Sequence, residues 1–161
     1  MKSLVILAFA LTAATAAQAQ SIIFGAGYAD YSSAESEDQA IVSLEYQHRS
    51  FYEATRFSAT WGASLSVDTD GDTHVGAGLI GLYTFADRWF IEGSVMPGYY
   101  SESNERNDLG GSFQIRSLLG LGYTLESGNK LSAAITHISN ASTQEDNPGV
   151  NALLLRYHYA F

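Results

Sequence analysis

The chain contains no cysteine, so no disulfide can staple its fold. It has only two prolines, which leaves long segments free to pair as strands. Basic residues are scarce, with eight Lys and Arg against 17 Asp and Glu and a formal net charge of −9. That balance argues against nucleic acid as a partner, because phosphate contacts draw on Lys and Arg. Long apolar runs are also missing: after residue 20 nothing approaches the roughly 18 consecutive apolar residues of a membrane helix.

What is present begins with a leader. Met1-Lys2-Ser3 is a short positive start, Leu4 to Ala17 is apolar, and Ala17-Gln18-Ala19 fits a small-x-small cleavage site. Residues 1–19 therefore read as a secretory signal peptide and 20–161 as the mature domain. Losing Lys2 with the leader takes the charge from −9 to −10.

Beyond the leader, period-two alternation dominates and no helical period competes with it. Phe57, Ala59, Trp61, Ala63, Leu65 and Val67 share one face, with Ser58, Thr60, Gly62, Ser64 and Ser66 on the other. Eight segments follow this pattern: 21–30, 39–48, 56–67, 74–85, 88–100, 112–124, 130–140 and 150–161. Most have about the nine to eleven residues that a tilted strand needs to cross a bilayer. The connections alternate between polar, mostly acidic stretches (32–38, 68–73, 101–111, 141–149) and mostly shorter ones (48–55, 86–87, 126–129). Long loops at one end, short turns at the other and aromatics near the strand ends describe an all-β, eight-stranded, antiparallel, up-and-down transmembrane barrel of a Gram-negative outer membrane. A soluble sandwich or lipocalin-like barrel would turn its apolar face inward instead. The opposite face here is rich in Gly, Ser and Ala and carries Glu45, Glu92, Gln114, Arg116, Arg156 and His158, which suits the crowded lumen of a small barrel. Such a lumen is filled by side chains, so a pore is not expected.

With both termini on the periplasmic side, the seventh segment ends at the cell surface. His137 and Ser139 share parity with Leu131, Ala133 and Ile135, and Asn151 shares parity with Leu153 to Phe161. All three should cluster on the lipid-facing wall near the headgroups. A His and a Ser two apart on a strand lie on one face, about 7 Å apart along the chain. Imidazole beside a hydroxyl makes a serine nucleophile. H-x-S alone also fits a polar rim at headgroup level.

The stretch THISNAS, then NPGVN and a last strand closing on Phe161, resembles the lipid A 3-O-deacylase family of outer-membrane barrels. The family motif H-x-S-N is matched by His137, Ser139 and Asn140. The resemblance implies that Ser139 is the nucleophile, His137 the general base, and Asn147 an oxyanion donor, with Asn140 a further candidate. It implies lipid A, or lipopolysaccharide, as substrate, an ester at position 3 as the bond cleaved, and no metal or cofactor. The terminal Phe161 resembles the signal read by the outer-membrane assembly machinery. Monomer and homodimer both stay open. The sequence departs from the family at one place: a glutamate expected twelve residues after the serine is Asn151. Asn151 itself, Glu145 or Asp146 from the preceding loop, or loss of activity would each account for that. A working but differently tuned hydrolase is the expectation, with a non-catalytic barrel acting through its acidic loops as the alternative.

Three weaker signals are set aside. Asp68-x-Asp70-Gly71-Asp72 starts like a calcium loop but has Leu79 where position twelve needs Glu, so a solvated hairpin tip is expected. His48 and His74 lack metal spacing. Gly76 to Gly81 precedes no helix and reads as barrel packing.

Overall fold

The computed structural model describes residues 20–32 and 38–161. The expected leader, 1–19, lies outside the described residues. Within them the chain forms β1 (Ser21–Tyr31), β2 (Gln39–Gln47), β3 (Tyr52–Glu53), β4 (Phe57–Asp68), β5 (Thr73–Thr84), β6 (Trp89–Ser101), β7 (Phe113–Thr124), β8 (Lys130–Ser139) and β9 (Val150–Ala160). All pairings are antiparallel: β2 pairs with β4 past the short β3, the other long strands pair in chain order, and β1–β9 closes the sheet into a barrel of eight long strands. Closure leaves no unpaired edge, which hydrocarbon demands. The expected strand bounds agree to within one residue. The exception is the connection 48–55, which holds β3: Tyr52 pairs with Ala59 and Glu53 with Ser58, lengthening the hairpin toward the inner end.

Alternation sends apolar side chains outward. Phe24, Leu44, Leu65, Leu79, Val95, Leu119, Ile135 and Leu155 are all exposed, a continuous belt that only a lipid environment makes favourable. Trp61, Tyr83, Trp89, Tyr123, Tyr157 and Tyr159 ring its inner rim, with Tyr28 and Tyr99 on the outer one.

The lumen is layered. Its middle holds four buried charges: Arg116 Nη2 lies 2.8 Å from Glu45 Oε1, and Arg156 lies 3.1 Å from Glu45 Oε2 and 2.8 Å from Glu92 Oε1. Gln47 Nε2 donates to Glu92 Oε2 at 2.9 Å. Charges this far from water persist only when paired and hydrogen-bonded. The outer end is apolar: Ala29, Tyr31, Tyr100, Leu109, Ile138, Val150 and Ala152 pack as one cluster. Leu109 comes from the 102–112 loop, which folds over the mouth. Tyr100 Oη donates to Asn107 O at 2.9 Å, and Asp72 accepts from Ser103 N at 2.6 Å.

That loop corrects the expectation for the 68–72 tip, whose acids were to be solvated. Asp68 and Asp72 are buried, because Tyr31 Oη lies 2.5 and 2.9 Å from them and Asn107 covers Asp72. Asp68 Oδ1 also accepts from the backbone N–H groups of Asp70, Gly71 and Asp72, closing the turn.

Candidate active site

The outer ends of β8 and β9 present opposite characters on their two faces. Ile138, Val150 and Ala152 point into the apolar cluster and clamp the strands from behind. His137, Ser139 and Asn151 take the intervening positions on the outer wall. His137 and Asn151 are direct cross-strand partners, both exposed, and Ser139 is half-buried opposite Ile115 of β7.

Pairing brings His137 Nδ1 to 2.9 Å from Asn151 Oδ1. An amide oxygen only accepts, so Nδ1 carries the hydrogen and Nε2 keeps its lone pair. That is the tautomer a general base requires. The imidazole edge bearing Nε2 lies over Gly149, where an added Cβ would stand 3.1 Å from Cε1 and 3.7 Å from Nε2. Gly149 also adopts φ +71°, a conformation that favours glycine, so this position is tied to Gly twice over. Ser139 follows two residues along the same face, about 7 Å on. No hydrogen bond joins Ser139 to His137 among the described residues; catalytic bonds of this kind often tighten only around substrate.

After Ser139 the chain reverses through a tight turn. Ala141 and Ser142 have φ +54° and +59°, and Thr143 N donates to Asn140 O at 3.1 Å. Two consecutive non-glycine residues in the left-handed region cost energy, and such outliers cluster at functional sites. Thr143 Oγ1 also donates to Asn140 O at 2.7 Å and helps to hold the turn.

The two asparagines expected as oxyanion candidates, Asn140 and Asn147, take different positions. Asn140 has inward parity and is fully buried. Its amide donates to Leu109 O at 3.1 Å and Asp146 O at 2.6 Å, so both hydrogens are used in binding two loops together. Asn147 is exposed, and its Oδ1 accepts from Asn140 N at 3.0 Å. That bond fixes the carboxamide and leaves Nδ2 as a donor with no partner among the described residues. Glu145 and Asp146 are exposed, and neither carboxylate meets His137, whose Nδ1 is taken by Asn151. Spacing could identify the outward trio. Gly149, the strained turn and the inward lock of Asn140 have no spacing signature, because each depends on where a neighbouring loop lands.

Toward the membrane middle, the wall below the site is grooved. A depression of about 400 Å³ runs between Leu119, Ala133, Ile135 and Leu153, and continues into one of about 660 Å³ bounded by Trp89, Leu131 and Tyr157. The small side chain of Ala133, flanked by leucines on β7 and β9, makes the floor.

A sequence profile described as "Lipid A 3-O-deacylase (PagL)" matches residues 38–160. Lipid A deacylase PagL of Bordetella bronchiseptica is 32% identical over 76 residues, an alignment covering 47% of this chain and 43% of that relative's length. The crystal structure of the outer membrane enzyme PagL superposes with a TM-score of 0.68 at 20% identity, covering 86% of this chain and 97% of that one. Neisserial surface protein A superposes at 0.59 with 13% identity, covering 88% and 97%. At these identities the two superpositions speak to the fold, an outer-membrane β-barrel, while the profile spans most of the chain. The chain belongs to the lipid A 3-O-deacylase (PagL) family.

Proposed function

We propose that this barrel is an esterase that removes the 3-O-linked acyl chain of lipid A, with Ser139 as nucleophile and His137 as base. The observation that carries the reading is the His137–Asn151 bond on the lipid-facing wall, with Nε2 left as acceptor and Ser139 next on that face. Lipid A of the outer leaflet places its acyl esters just below the glucosamine headgroup, at the depth of this rim, and the apolar groove beneath suits the acyl chain.

The chemistry follows from those parts. Ser139 Oγ attacks the ester carbonyl while its proton passes to His137 Nε2. The oxyanion that forms is met by Asn147 Nδ2, pre-oriented by Asn140 N. Collapse breaks the bond to the sugar oxygen, which takes the proton from His137 and leaves Ser139 acylated. Water, deprotonated by His137, then attacks the acyl-enzyme, releasing a 3-hydroxy fatty acid and restoring Ser139. No step calls for a metal. Exposed Phe161, stacked on Tyr159, suits recognition by the assembly machinery. Deleting Phe161 is expected to slow insertion in a pulse-chase assay.

Mass spectrometry of lipid A from cells expressing the protein tests the function. Loss of one 3-hydroxyacyl group with wild type but not Ser139→Ala is expected. Lipid A unchanged by the wild-type barrel would favour a non-catalytic role.

A further inference from the structure

Asn151 meets only half of what a histidine base needs. Its oxygen orients the ring, but an amide supplies no charge to the imidazolium that forms, and an amide can turn over. With Nδ2 against His137, the amide would donate to Nδ1, the ring proton would move to Nε2, and the base would be lost. A fixed acceptor for Nδ2 on the other side of Asn151 would remove both defects.

The strand register supplies one. Asn151 lies between His137 on β8 and Asp30 on β1, directly opposite each. Asp30 is exposed on the same outer wall. Directly opposed residues have Cβ atoms about 4.5–5.5 Å apart, and Asp and Asn side chains span such a gap by choice of rotamer. The frame around them is fixed: Tyr31 pairs with Val150, both in the apolar cluster, and Ser32 N donates to Gly149 O at 3.2 Å. Among the described residues, neither the Asp30 carboxylate nor Asn151 Nδ2 has a hydrogen-bond partner. Across four strands the wall reads Asp30, Asn151, His137, Ser117, then returns to Val95 and Leu79.

We propose that Asp30 is a positioning residue for the esterase, accepting from Asn151 Nδ2, locking Oδ1 on His137 Nδ1 and supplying the negative charge that the family's glutamate would have carried. The inference rests on the esterase reading above. A rim carboxylate that merely met headgroups would alter KM alone, and would do so whatever stands at position 151.

The test uses the folded full barrel in detergent micelles. It reads kcat and KM on lipid A, together with the rate at which a fluorophosphonate labels Ser139. Asp30→Asn is expected to lower kcat and labelling on the order of tenfold, with KM changed by less than about twofold. Asp30→Glu is expected to recover most of the loss. In an Asn151→Glu background, adding Asp30→Asn should matter less than about twofold, because the introduced carboxylate carries its own charge. Equal losses in both backgrounds, or a change in KM alone, would overturn the proposal. If lipid A is not hydrolysed but labelling follows the expected pattern, the substrate assignment falls and the role of Asp30 stands. Labelling indifferent to Asp30, or absent from Ser139 in wild type, sinks it.

Discussion

A serine and a histidine stand close together on each side of the barrel wall. In the lumen, His158 Nε2 lies 2.9 Å from Ser132 Oγ, a tighter pairing than anything between His137 and Ser139. Both lumen residues are buried, Arg156 stands beside Ser132 at 3.5 Å, and His158 Nδ1 has no partner among the described residues to fix its tautomer. On the outer wall the direct bond is missing, but His137 is oriented by Asn151 and both side chains are exposed on the apolar, lipid-facing side. Proximity of a hydroxyl to an imidazole is therefore a poor marker of a site. A fixed orientation of the imidazole and exposure to the lipid side separate the outer pair from the inner one.

The largest effect that would sharpen this contrast is on rate. Ser139→Ala is expected to lower fatty-acid release from lipid A by at least about 10³-fold, whereas Ser132→Ala stays within about twofold, both measured on the purified barrel. The next affects stability and belongs to the lumen. Glu45→Ala strands Arg116 and removes one of the two ion pairs of Arg156, and should cost about 3–5 kcal/mol in urea unfolding while the folded fraction keeps its turnover. Gly149→Ala belongs to the outer pair: a Cβ over the imidazole at a positive φ should lower kcat on the order of 10²-fold by displacing the base. The smallest effect is expected from Asn151→Glu, a gain in kcat of about tenfold or less, since Asp30 already places charge in the row. A fall there would mean that the asparagine geometry is tuned for its own partner.

Much of this architecture is legible from alternation alone. Eight segments, their bounds and the two faces follow from period two, because a strand in a barrel wall has only lipid and lumen to choose between. Parity also puts His137, Ser139 and Asn151 outward and His158, Glu45 and Arg156 inward. What parity omits is the partner. Asp30 and Asn151 are more than a hundred residues apart and meet only because β1 closes on β9. The motif offers Asn140 beside Asn147 as an oxyanion candidate, yet one position of parity turns it inward to brace Leu109 and Asp146. The buried carboxylates of 68–72 were hidden for a similar reason: the loop that covers them comes from the next hairpin.

In the proposed reaction the outward Ser139, and not the buried Ser132, takes the acyl group. Purified barrel mixed with lipid A and quenched in acid within a turnover traps the acyl-enzyme, which mass spectrometry of peptides then locates. One 3-hydroxyacyl adduct is expected on Ser139, lost in Ser139→Ala and retained in Ser132→Ala. An adduct on any other residue, or hydrolysis that persists in Ser139→Ala, would contradict the proposed reaction.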